Sequence, residues 1–198
     1  MPEQPKIDFS SLDINKLMAS LGDVSYLIGD HIKETLFMLF EGLKKGVMPN
    51  NALNLSSDTT EQIYTKAYNF YNLGKYKEAS IIFQLLILLD PKVPKYTIGS
   101  AACLHRMELY DKAAQVYMLA ASIDPENPLP HFHASDCYIK LKSPDLALLE
   151  LKSTIACAKD KPEFQIVKER ALMMLETVQA EIEARKDEKK GEESEPIS

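Results

Sequence analysis

A period of 34 residues constrains this chain more than any other feature. Ala67, Ala79, Phe83 and Pro91 are followed 34 positions later by Ala101, Ala113, Tyr117 and Pro125. Tyr76 returns as Tyr110, and Leu-Leu-Asp-Pro at 88–91 returns as Ser-Ile-Asp-Pro at 122–125. A third copy carries Ser135, Tyr138, Ala147 and Leu151 in the same frame, with Lys159 standing where a proline is expected. A unit this short cannot bury its own apolar face, so successive units must stack on one another. The apolar positions recur at helical spacing, small alanines mark where helices cross closely, and Phe70, Phe83, Tyr117 and Tyr138 supply bulk between them. Each Asp-Pro is expected to stop one helix and start the next, because proline cannot continue a helix interior.

The pattern resembles the tetratricopeptide repeat. It implies an all-α fold: three tandem helix-turn-helix repeats in a superhelix from about Thr60 to Ala158, with a concave inner surface. Asp58 and Glu61 form a capping-box pattern at the start of the first helix, and Gly74 supplies its C-terminal stop. Upstream, apolar residues from about Ser11 to Val47 keep helical spacing over a wide face, broken near Gly22 or Gly29. These helices can cap the first repeat, mediate self-association, or both. Leu36, Phe37, Leu39 and Phe40 place apolar groups on more sides than one contact would bury, and are the candidate dimerisation residues. Downstream, Lys161-Pro-Glu-Phe164 opens a capping helix with Val167, Ala171, Leu172, Leu175 and Val178 at helical spacing. The expected division is an N-terminal helical region at 1–54, a repeat domain with its capping helix at 55–180, and a charged, fraying tail at 181–198.

Composition narrows the function. The 198 residues carry 29 acidic and 23 basic side chains, a net charge of -6 that disfavours a phosphate-backbone binder. Seven glycines leave few places for nucleotide-cradling loops. Cys103, Cys137 and Cys157 match no metal spacing; the first two stand 34 apart, as packing residues would. His131 and His133, two apart, point to different sides of a helix and cannot share a metal. The carboxylates scatter over expected solvent faces, and no hydrolase, nucleotide or metalloprotease motif is present. No catalytic residues, metal or cofactor are therefore expected. The N-terminus lacks a secretion signal, and the longest apolar run is far short of a membrane span, pointing to the cytosol.

The inner surface of such repeats is lined by the first helix of each unit, at its second, fifth, ninth, twelfth and thirteenth positions. With Thr60 as position one, these are Glu61, Tyr64, Tyr68, Tyr71 and Asn72, then Lys95, Ile98, Ala102, His105 and Arg106, then Leu129, Phe132, Asp136, Ile139 and Lys140. Ile63, Ala67, Phe70 and Leu73 occupy the adjoining core face, which leaves the tyrosines to the groove. Apolar and tyrosine pockets between polar edges suit an extended peptide. Repeats that hold the acidic tails of heat-shock chaperones use a Lys and Asn clamp; here its positions are Tyr64, Tyr68 and Gly99. The groove should favour an internal apolar or proline-containing segment.

The longer pattern is more specific. Leu55 to Tyr64, Ala67 to Tyr76, Phe83-Gln-Leu-Leu86, Pro130-His-Phe-His-Ala134, Cys137 and Lys161-Pro-Glu-Phe164 resemble the class II chaperones of bacterial type III secretion, of the low-calcium-response protein H type. The resemblance implies a non-enzymatic homodimer of the bacterial cytoplasm. It would hold a proline- and leucine-containing segment of hydrophobic pore-forming translocators, preventing aggregation and premature membrane insertion. It implies groove or groove-supporting roles for Tyr64, Tyr71 and Tyr76, with Ala102, Phe132, Asp136 and Ile139 continuing the surface. Glu108 in place of a turn glycine and Pro144 in the third turn depart from the family pattern. The alternative is a repeat scaffold or regulatory protein that binds folded components of a secretion assembly.

Overall fold

In the computed structural model, which describes residues 57–193, seven α-helices follow one another without a strand among the described residues. They are α1 (Ser57–Asn72), α2 (Tyr76–Leu89), α3 (Pro94–Arg106), α4 (Tyr110–Ile123), α5 (Pro128–Lys140), α6 (Pro144–Ala158) and α7 (Gln165–Glu193), with a 3-10 turn at Pro162–Phe164 before the last. Paired helices pack as consecutive hairpins, in tandem helix-turn-helix order. The chain divides into two compact units at Asp90 and Pro91. Leu36, Phe37, Leu39 and Phe40 lie outside the described residues.

The turn inside each hairpin has the same construction three times. Gly74, Glu108 and Lys142, spaced by 34, all take positive φ, at 76°, 60° and 55°. Each closes its helix with a pair of reverse hydrogen bonds: Gly74 N–H to Tyr71 O and Lys75 N–H to Phe70 O, then Glu108 to His105 with Leu109 to Leu104, then Lys142 to Ile139 with Ser143 to Tyr138. This two-bond closure satisfies carbonyls that the helix end would otherwise orphan. The stacking geometry demands the left-handed residue, and the second and third turns adopt it without glycine, at a cost of about 1 kcal/mol each. Pro144 does not disturb the third turn, because it sits in the first turn of α6 where no amide donor is needed.

Asp90 and Asp124 end α2 and α4, Asp90 in extended backbone, and each cap N–H still bonds back into its helix, to Leu86 O and Ala120 O. The following helices start three residues beyond each Asp-Pro, at Pro94 and Pro128, rather than at the Asp-Pro itself. Asn127 caps α5 by accepting from Leu129 N–H at 3.0 Å. At the first helix, α1 already begins at Ser57, which puts Asp58 inside the first turn, where its charge suits the helix N-terminus, rather than at the cap.

In the first unit, Ile63 and Ala67 of α1 are buried together with Ala79, Ile82, Phe83, Leu85, Leu86 and Leu88 of α2. Leu73, expected in this core, is 72% exposed. It lies one residue past the end of α1, where helical periodicity no longer aims it inward. In the second unit, four small residues on three helices, Ala101, Ala113, Ala114 and Ala134, surround Tyr117 and Cys137. Burying a ring of that size contributes roughly 2–3 kcal/mol. A further cluster joins Ala147 and Leu151 of α6 to Ala171 and Val178 of α7.

The last helix departs from expectation at two points. Leu172 is exposed, because only one side of α7 has a neighbour. The helix also continues past Glu181 instead of fraying there, to Glu193. Ile182 extends the packed face, and Arg185 pairs with Glu181 one turn earlier at 2.6 Å.

Candidate functional site

Along α1 the tyrosines do not enter the core that Ile63 and Ala67 form. Tyr64 and Tyr68 stack with centroids 6.4 Å apart and planes 20° from parallel. Tyr64 also rests edge-on against Phe83 of α2 at 5.9 Å, which half-buries it, whereas Tyr68 is 51% exposed. Tyr71 meets Tyr76, the first residue of α2, edge-on at 5.4 Å. Asn72 is exposed at the end of the same helix. The first unit thus presents a ladder of rings anchored at the base by α2.

The inner-face positions of the second unit are tied to one another. His105 Nε2 on α3 donates to Asp136 Oδ2 on α5 at 2.8 Å. The His105 ring lies edge-on to Tyr110 at 5.5 Å and Tyr117 at 6.4 Å. The hydrogen bond from His105 holds the Asp136 carboxyl below its ordinary range, against the opposing effect of burial. Ala102 is half-buried on the same face of α3, and Ile98 packs against the Tyr117 cluster. Arg106 is exposed in the last turn of α3, where a positive charge complements the helix dipole. Phe132 and Ile139 are only partly surface, since both also pack against the α6 and α7 cluster.

Three groups took roles that sequence reasoning missed. His133 stacks on buried Tyr117 at 5.2 Å and meets Phe132 edge-on. Burial, and then the nearby His105, lower its pKa. Glu150, expected on a solvent face, is buried and accepts from His131 Nδ1 at 2.7 Å. The register held the signal: His131 falls 34 and 68 positions after Thr97 and Ile63, both buried, so a polar group there needed an internal partner. Thr97 itself keeps a buried hydroxyl without a hydrogen-bond partner.

Cys103 and Cys137 are fully buried, and desolvation pushes both thiols up to about 12. They are packing groups rather than nucleophiles. Among the described residues no group of three or more His, Cys, Asp or Glu side chains is arranged to hold a metal ion. No described helix is long and apolar enough to cross a membrane. The first unit offers aromatic area on α1, and the second, separately, one carboxylate anchored by an imidazole.

Helix-turn-helix units repeating every 34 residues define a tetratricopeptide-repeat protein, and the tetratricopeptide repeat model matches residues 60–92 and 94–127. The low calcium response locus protein H of Yersinia pseudotuberculosis is 37% identical over 127 residues, 63% of this chain and 74% of that protein. Among solved structures, PcrH in complex with the chaperone binding region of PopD is similar with a TM-score of 0.63 and 38% identity, over 65% of this chain and 96% of that one. The Yersinia enterocolitica secretion chaperone SycD with a peptide of the translocator YopD gives a TM-score of 0.62 and 34% identity, over 65% and 98%. SycD has also been solved as an alternative dimer. This chain belongs to the low-calcium-response protein H family, the class II translocator chaperones of type III secretion. It is a family of chaperones rather than enzymes.

Proposed function

We propose that this protein is a cytoplasmic chaperone of bacterial type III secretion that binds hydrophobic, pore-forming translocators. It holds an extended segment of the client along the inner face of its first helices, and so keeps the client from aggregating or inserting into a membrane before export. One observation carries the reading: relatives at 34–38% identity, matched over nearly their whole length, are seated on translocator segments. The exposed and half-buried rings of Tyr64, Tyr68 and Tyr71 support it, because they present aromatic area beside the core that Ile63 and Ala67 form. Modest affinity suits a chaperone that must release its client, since ordering an extended peptide consumes much of the contact energy.

The chain acts as a homodimer in this reading, with residues 1–54 supplying the interface through Leu36, Phe37, Leu39 and Phe40, and residues 55–180 forming the binding domain. The test is co-expression with candidate translocators, followed by mass spectrometry of the purified complex. The double variant Tyr64→Ala, Tyr71→Ala should lose about tenfold or more in affinity for the client segment, the loss of two partly buried rings, while circular dichroism stays helical. Undiminished affinity in a folded double variant removes the tyrosines from the site.

A further inference from the structure

Among the inner-face register positions of α3 and α5, Asp136 is the single acid; the others are apolar, basic or imidazole. One repeat earlier the two positions equivalent to His105 and Asp136 are Tyr71 and Ala102, neither charged. The Asp136 side chain is 34% exposed, with Oδ2 held by His105 Nε2 at 2.8 Å. His105 is in turn fixed between Tyr110 and Tyr117. Carboxylate and imidazole are therefore set in place before any ligand arrives. Two other titratable groups face this carboxylate. His133 is largely buried, and its burial disfavours a charge there. Lys140, one turn along α5, is exposed, so solvent screens it.

A segment laid across α5 covers the exposed part of Asp136. Removing water from a carboxylate costs affinity unless a donor replaces the water. An acidic side chain at the same point adds direct repulsion. We propose that Asp136, positioned by His105, is a specificity-determining contact of this face: it accepts from a basic or amide side chain of the bound segment and excludes an acidic one at that point. The inference rests on the peptide-binding reading above and adds a charge rule to it.

The probe is the client segment that survives proteolysis of the co-purified complex, synthesised and scanned with single Asp and Lys substitutions at every position. Binding is read by fluorescence anisotropy against the unaltered protein, Asp136→Asn and His105→Gln. At one position, Asp should weaken binding to the unaltered protein by roughly tenfold or more, and Lys should not. Against Asp136→Asn the Asp penalty at that position should fall to about threefold or less. His105→Gln, which leaves the carboxylate but loosens it, should give an intermediate penalty. A scan in which no position changes its charge sensitivity between the unaltered protein and Asp136→Asn overturns the inference. If the parent peptide still binds through Tyr64 and Tyr71 in that case, the chaperone reading stands and only the charge rule is lost. If the parent peptide does not bind at all, both fall. Substitutions on the peptide cannot unfold the protein, so the unaltered protein alone also decides: a scan with no position at which Asp weakens binding and Lys does not overturns the inference, whatever the stability of the variants.

Discussion

His133 shows how one side chain couples the site to pH. Its ring packs on Tyr117, and burial lowers its pKa from the ordinary 6.5, with His105 adding to the shift and Asp136 opposing it. The folded protein therefore resists protonation at a position where the unfolded chain accepts a proton readily. The stability contributed by neutral His133 is fully present above about pH 6.5 and is lost as the pH falls through its lower folded value. Asp136 acts in a lower window: its carboxyl is held below the ordinary 3.8, so its contribution disappears only on further acidification. His133→Phe keeps a flat ring on Tyr117 and removes the titration. Thermal melts between pH 7.5 and 5 should show a shallower pH dependence for this variant than for the parent, and an equal slope would show that His133 is not the group responsible. None of this coupling is visible in local sequence, because Tyr117, His105 and His133 come from three different helices. The pairing of His131 with Glu150 is equally remote, 19 residues apart on separate helices.

The hairpin turns connect sequence register directly to backbone conformation. Position 74 of the first hairpin is a glycine, and its register mates Glu108 and Lys142 adopt the same left-handed backbone without one. Replacing either by glycine should stabilise the protein by about 0.5–1 kcal/mol, the left-handed strain less the added freedom of the unfolded chain. Gly74→Ala should destabilise by about 1 kcal/mol purely through backbone strain, since a Cβ there would meet nothing within 4 Å. Urea unfolding of the three variants checks both signs, and a destabilised Glu108→Gly would contradict the shared-turn account. This element-level geometry was legible in the sequence because the period fixes where each turn falls, whatever residue occupies it. Helix ends were less legible. Leu73 looks like a core residue while the helix is assumed to continue, and becomes a surface residue once α1 stops at Asn72. Conversely, the charged stretch after Glu181 reads as a tail, yet Ile182 and strong helix formers carry α7 on to Glu193.

For the whole molecule, the 34-residue period and the order of its motifs were sufficient to indicate the repeat architecture and the family. The proposed function puts assembly in the N-terminal region, so deletion of residues 1–47 should move the protein from dimer toward monomer in light scattering; a dimer that survives the deletion puts the interface in the repeats. The second unit also carries its own means of being timed. Cys103 and Cys137 are sealed at equivalent places on α3 and α5, with thiols that stay protonated at neutral pH. Cys157 is only half-buried and stands apart from that sealed pair. A thiol reagent added to native protein meets the sealed pair only when α3 or α5 opens. The slow phase of labelling is therefore a clock for the breathing of this unit, and a bound client that steadies α3 and α5 would make that clock run slower.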